Sequence, residues 1–104
     1  MIETFARALP NATTLSCRAA GAPGRPLMVF LHGFPEAAFI WDALLEHFAA
    51  PEHGGFRCIA PNLRGFERSS APTEVAAYRA HLLVQDIAEL AASARMSWIS
   101  RCAR

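Results

Sequence analysis

The sequence predicts an α/β fold with element order β-β-β-α-β-α and a mostly parallel sheet. Two observations carry this. Residues 27–31 and 56–60 are short, nearly unbroken apolar runs, the pattern of strands covered on both faces. Each run is followed by a segment of helical periodicity, at residues 37–49 and 78–92. Strands that alternate with helices build parallel sheets. At 104 residues the chain has room for one small domain.

The elements follow in order. Residues 2–9 and 13–19 read as two short strands that pair as a hairpin, with Pro10-Asn11 as the turn. Residues 21–26, rich in Gly and Pro, form a loop, and the apolar run 27–31 is the third strand. In the helix at 37–49, Ile40, Leu44 and Phe48 fall at i, i+4 and i+8, with Trp41 and Leu45 beside them, and Pro51 ends it. His53-Gly54-Gly55 turns the chain into the fourth strand, 56–60. A loop rich in Arg, Ser and Pro spans 61–73, and the helix at 78–92 carries Leu83, Ile87 and Leu90 on one face. Residues 93–104 show neither strand alternation nor a clean helical face. They are expected to be an atypical tail, such as a shifted reading frame would produce, after a domain portion spanning 1–92.

Composition narrows the function classes. Hydrophobic residues make up 53% of the chain and charged residues 18%, too apolar for disorder. No run approaches the roughly 18 apolar residues of a membrane span. The start, Met-Ile-Glu-Thr-Phe-Ala-Arg, lacks the features of a signal peptide, so a cytoplasmic protein is expected. The net charge is +1, and the basic residues, all Arg, are scattered. Neither nucleic acid nor a membrane surface is an expected partner. Cys17, Cys58 and Cys102 are too far apart for a metal or redox motif. No metal or cofactor is implied.

Two passages carry chemistry. In Leu27-Met28-Val29-Phe30-Leu31-His32-Gly33-Phe34-Pro35-Glu36 an apolar strand ends abruptly in a tight turn. That turn lies at the C-terminal end of the strand, where open α/β sheets bind ligands. Gly33 lets the backbone turn, and Pro35 restricts Phe34 to extended conformations. The second passage is Ala60-Pro61-Asn62-Leu63-Arg64-Gly65-Phe66-Glu67-Arg68-Ser69-Ser70-Ala71-Pro72.

The first passage, with Trp41 following at a suitable distance, resembles the oxyanion-hole turn of the α/β-hydrolase superfamily. The likeness is to its epoxide hydrolase and haloacetate dehalogenase branch. The second is similar to that family's loop after the fourth strand, usually Asp-x-Arg-Gly-x-Gly-x-Ser. Arg64, Gly65 and Ser69 match it, whereas Asn62 stands for the Asp and Glu67 for the second Gly. A Gly required there for positive φ would leave Glu67 strained. The loop is otherwise expected to be solvated and without direct catalytic work. Leu83-Val84-Gln85-Asp86-Ile87-Ala88-Glu89-Leu90 looks like the helix before the nucleophile strand.

The resemblance implies the N-terminal part of an α/β-hydrolase fold, truncated before the nucleophile strand. It implies strand order 1-2-4-3, with residues 27–31 as an open edge through which copies of the chain could self-associate. It implies that the Phe34 backbone N–H is an oxyanion donor, with His32, Gly33, Pro35 and Trp41 forming the turn and a pocket wall. The substrate of a full-length relative would be a small molecule: an epoxide, a haloacid or an ester. A nucleophile elbow reads Gly-x-Ser/Asp/Cys-x-Gly, and no two glycines of this chain are four apart. In the family the nucleophile precedes the acid and the histidine, so His32, His47, His53 and His81 all come too early to be the base. Asp42 and Asp86 lie on helices and do not match the acid. The expectation is a truncated, epoxide hydrolase-like chain that is inactive by itself. The alternative is a small non-enzymatic α/β module binding an anion or a partner chain.

Overall fold

The computed structural model describes residues 1–33 and 37–102, with side chains as far as Ala94. Four strands form one sheet: β1 (Glu3–Ala8), β2 (Thr14–Ala20), β3 (Leu27–Val29) and β4 (Arg57–Pro61), in the order β1-β2-β4-β3. Two helices cover it, α1 (Asp42–Ala49) and α2 (Ala80–Cys102).

The strand order is the expected one, but the sheet is mixed rather than mostly parallel. β1 and β2 are antiparallel, β2 and β4 are antiparallel, and only β3 and β4 are parallel. Strand–helix alternation forces parallel pairing only across a βαβ crossover. The described residues contain one such unit, β3-α1-β4. The hairpin that precedes it joins β4 from the other side.

β4 is the central strand and is buried on both faces. Cys58 and Ala60 face α1, packing with Ala20, Ala38 and Leu45, while Ile59 faces α2 with Leu15, Cys17, Ala19 and Leu90. The alternation along β2 serves the same two layers: Leu15, Cys17 and Ala19 are buried beneath α2 and Ala20 beneath α1. β3 is shorter than the apolar run that encodes it. Phe30 N–H still donates to Ile59 O at 2.9 Å, after which the chain turns toward His32.

Helix α1 corrects the expected apolar face. A 3-10 turn, Ala38–Trp41, precedes it. The residues packed on the sheet are Ala38, Trp41, Leu45, Phe48 and Ala49, whereas Ile40 and Leu44 are exposed. Both stripes satisfy helical periodicity. The small side chains of Ala20, Cys58 and Ala60 leave the space that Leu45 fills, and this selects between them. Helix α2 also differs from expectation, running past Ala92 to Cys102 without a break. Ser93 accepts a hydrogen bond from Arg7, and Ala94 packs against the core. Among the described residues, no helix is long and apolar enough to cross a membrane.

Candidate active site

The parallel pair β3 and β4 delivers two loops to the same edge of the sheet, at the strands' C-terminal ends. Of the expected site residues, Phe34 and Pro35 lie outside the described residues. His32, Gly33 and Trp41 are described.

His32 is buried at 5% exposure. Its Nε2 lies 3.0 Å from the Leu63 backbone nitrogen. A backbone N–H can only donate, so Nε2 is the acceptor and the ring proton resides on Nδ1. Nδ1–H then donates to the Gly33 carbonyl at 2.9 Å. The Phe66 ring meets the imidazole edge-on, with centroids 4.7 Å apart. His32 thus stitches the turn after β3 to the loop after β4. Gly33 itself is exposed. Trp41 lies against Phe30, centroids 5.4 Å apart, and its Nε1 has no hydrogen-bond partner among the described residues.

The loop after β4 is not the solvated segment that its composition predicts: Asn62, Arg64 and Ser69 are all buried. Asn62 works in three directions. Its Oδ1 accepts the Ala38 N–H at 2.7 Å, its Nδ2 donates to Ser16 Oγ at 2.9 Å, and its own N–H donates to Ser16 O at 2.8 Å. Ala37 supplies no side-chain cap to the 3-10 turn, so Asn62 satisfies that orphan donor from across the sheet edge. Ser69 Oγ accepts the Ser16 N–H at 2.9 Å and donates to Asn62 O. Ser70 Oγ accepts the Thr14 N–H, also at 2.9 Å. Beyond the end of β4, small polar side chains therefore replace the missing strand beside Thr14 and Ser16.

Arg64 anchors the same loop to α2. Its Nε donates to Asp86 Oδ2 at 2.6 Å and its Nη2 to Asp86 Oδ1 at 2.9 Å. Its remaining bonds reach Ala77 O at 2.9 Å and Thr13 Oγ1 at 3.1 Å. Asn11 Nδ2 donates to Asp86 Oδ1 at 2.9 Å. The pairing with Asp86 pushes the guanidinium pKa up. Sequence reasoning missed this network. The available signal was Asp86 itself, a lone charge on the stripe Leu83, Asp86, Ile87, Leu90, because a charge on a buried face needs a partner.

Two positions in the loop have positive φ. Gly65 (+84°) approaches Tyr78 so closely that a Cβ would lie 2.9 Å from Cε1. Glu67 (+46°) adopts the left-handed conformation too, as its place in the motif predicted, and it carries a side chain there. His47, His53 and His81 are exposed, with His47 and His53 stacked at 3.9 Å. No cluster among the described residues could hold a metal ion.

Comparison with known proteins agrees with this geometry. The sequence profile of the alpha/beta hydrolase fold family matches residues 26–96. The chain is 40% identical to epoxide hydrolase 3 of Xenopus tropicalis over 72 residues, 69% of this chain and 18% of that protein. It is 36% identical to epoxide hydrolase A of Mycobacterium tuberculosis over 80 residues, 77% of this chain and 24% of that protein. The chain thus spans between a fifth and a quarter of these relatives' length. Among solved structures, an epoxide hydrolase from hot-environment metagenomes superposes with a TM-score of 0.80 at 41% identity, covering 90% of this chain and 30% of that one. VrEH1 from Vigna radiata gives 0.79 at 32% identity, covering 88% and 28%. The chain belongs to the alpha/beta hydrolase fold family, near its epoxide hydrolase branch.

Proposed function

We propose that this chain supplies the oxyanion-hole turn and the adjoining β4 loop of an epoxide hydrolase-type active site, and that alone it does not turn substrate over. The observation that carries this reading is the junction of the two motif loops at the sheet edge, made by His32 with Leu63 and by Asn62 with Ala38. In this reading the Phe34 N–H is a preorganised donor to an oxygen that gains charge during reaction, a role whose loss costs about 10²–10³ in rate. The substrate is a small molecule with a polarisable oxygen, an epoxide by the names of the relatives. Gly33 and Pro35 shape the turn, and Trp41 backs it.

Inactivity alone follows from the residues present. No glycine pair is spaced for an elbow. Asp42 and Asp86 are each held by an arginine, and His32 is committed at both ring nitrogens. Purified chain should hydrolyse styrene oxide, fluoroacetate and p-nitrophenyl acetate no faster than buffer does. Turnover that co-purifies with the chain and disappears in His32→Ala would overturn the reading.

The same reading assigns a partner. β3 is the last strand of the sheet and pairs on one side only, and Leu31 just beyond it is exposed. An apolar unpaired edge recruits other strands, so copies of the chain self-associate there. Sedimentation should show concentration-dependent assembly that Leu31→Lys reduces. Assembly unchanged by that substitution would rule the edge out.

A further inference from the structure

We propose that His32 is a positioning residue that aims the oxyanion donor, and that it does so only as the neutral Nδ1–H tautomer. The inference rests on the oxyanion reading above and deepens it.

The argument starts from the peptide bond. The Gly33 carbonyl and the following N–H, that of Phe34, are two ends of one peptide unit. In a planar trans peptide they point in opposite directions. A bond that fixes the carbonyl therefore fixes the direction of the N–H as well. His32 Nδ1–H holds that carbonyl at 2.9 Å. Accepting a hydrogen bond at the oxygen also polarises the N–H at the far end of the same unit. The imidazole can serve in this way only if it is itself held, and Leu63 N–H, Phe66 and burial hold it. Leu63 is immobilised in turn because its neighbours are the two anchors of the loop, Asn62 and Arg64, both buried and bonded.

Both ring positions are used, so the tautomer matters. Protonation would place an N–H at Nε2 facing the Leu63 N–H, donor against donor, and the ring would have to leave one partner. Charged groups on the elements around His32 are engaged elsewhere: Arg64 with Asp86 and Asp42 with Arg18. Glu67 and Arg68 line a separate groove over Ser16. No carboxylate among the bonded contacts of His32 stands ready to compensate the charge.

Two substitutions separate the two bonds. His32→Asn keeps a donor near the Nδ1 position and loses the acceptor for Leu63. His32→Gln keeps an acceptor near the Nε2 position and loses the donor to Gly33. Nitrogen-15 NMR of the dilute chain, in a Leu31→Lys background that blocks the strand edge, should show an Nδ1–H imidazole for His32. Protection of the Leu63 amide from exchange should fall roughly tenfold in His32→Asn, as loss of one hydrogen bond predicts, and stay within about twofold in His32→Gln. The Phe34 amide resonance should move in His32→Gln and hold in His32→Asn. On acidification Leu63 protection should fall in the parent but not in His32→Gln. An Nε2–H tautomer in the parent overturns the proposal. So does a Leu63 amide whose protection ignores both substitution and pH. Should the variants fail to fold, the parent's tautomer and the pH profile of Leu63 still decide. These readouts come from the resting chain, whereas the oxyanion reading is tested by hydrolysis, so either can fail without the other.

Discussion

Arg18–Asp42 and Arg64–Asp86 are the same pair of side chains set at two depths. Both are two-pronged: Arg18 reaches Asp42 at 2.7 and 2.6 Å, and Arg64 reaches Asp86 at 2.6 and 2.9 Å. In both, hydrogen bonding to the carboxylate raises the guanidinium pKa. They differ in water. The Arg18 and Asp42 side chains are 30% and 33% exposed, those of Arg64 and Asp86 7% and 2%. An exposed pair is screened and worth little. A buried pair has lost its hydration, and breaking it strands a charge. Identical bonds therefore do different jobs. The outer pair tethers α1 to β2. The inner pair fixes the route of the β4 loop.

The largest expected effect comes from breaking the inner pair. Asp86→Ala should cost about 3–5 kcal/mol in denaturant unfolding, because Arg64 would be buried without a partner. A loss below about 1 kcal/mol would put the pair on the same footing as an exposed one. Removing both charges sharpens the point. Arg64→Met with Asp86→Leu should recover at least about half of that loss, since no stranded ion remains. A double variant as unstable as Asp86→Ala would locate the energy instead in the bonds to Thr13, Ala77 and Asn11.

Cys17 tests burial without a bonded partner. It lies in the same layer as Leu90, and burial, outweighing the pull of Arg7, raises its thiol from 9.0 to about 12. The sign follows from proton counts. Between these two values the unfolded chain has released the thiol proton and the folded chain has kept it. Stability should therefore fall as pH rises from about 9 toward 12. Below that window the residue should resist thiol reagents until the chain unfolds. Labelling of Cys17 in the folded chain at neutral pH, read by mass mapping, would contradict its burial.

Smaller effects lie nearer the surface. Glu67→Gly should stabilise by about 1 kcal/mol by relieving a left-handed residue. A destabilisation would show that the side chain earns its position. Asp42→Ala should cost less than about 1 kcal/mol, and the cost should shrink in molar salt. A salt-independent loss matching that of Asp86→Ala would erase the distinction between the two pairs.

The sequence carried the fold well because apolar periodicity and strand–helix alternation report packing directly. The run at residues 27–31 became β3, the hairpin formed across Pro10-Asn11, and β4 took the centre between β2 and β3. Three features were less legible. The face of α1 depended on the size of Ala20, Cys58 and Ala60 beneath it, which helical spacing does not encode. The mixed sheet depended on which side of β4 the hairpin joined. The loop at residues 62–70 looked polar and so solvated, because its polarity serves buried backbone groups of β2 and an aspartate on α2. His32 was legible as a turn-stabilising side chain, yet its second bond, to Leu63, lay 31 positions away, beyond the reach of local pattern.

The central place of β4 also sets an order of assembly. The β1–β2 hairpin closes through neighbours, with Leu9 and Thr13 bonded across its turn, and hairpins form in about 1–10 µs. β4 must come back across 46 positions before Asn62 can meet Ser16, and such non-local pairings slow folding. Until it docks, Leu15, Cys17 and Ala19 stand on a sheet whose β2 edge is unfilled. The kinetic hazard of this chain is thus an early one. A nascent hairpin presents the edge meant for β4 to any passing strand, and the speed with which β4 arrives governs how much of the chain reaches its own fold.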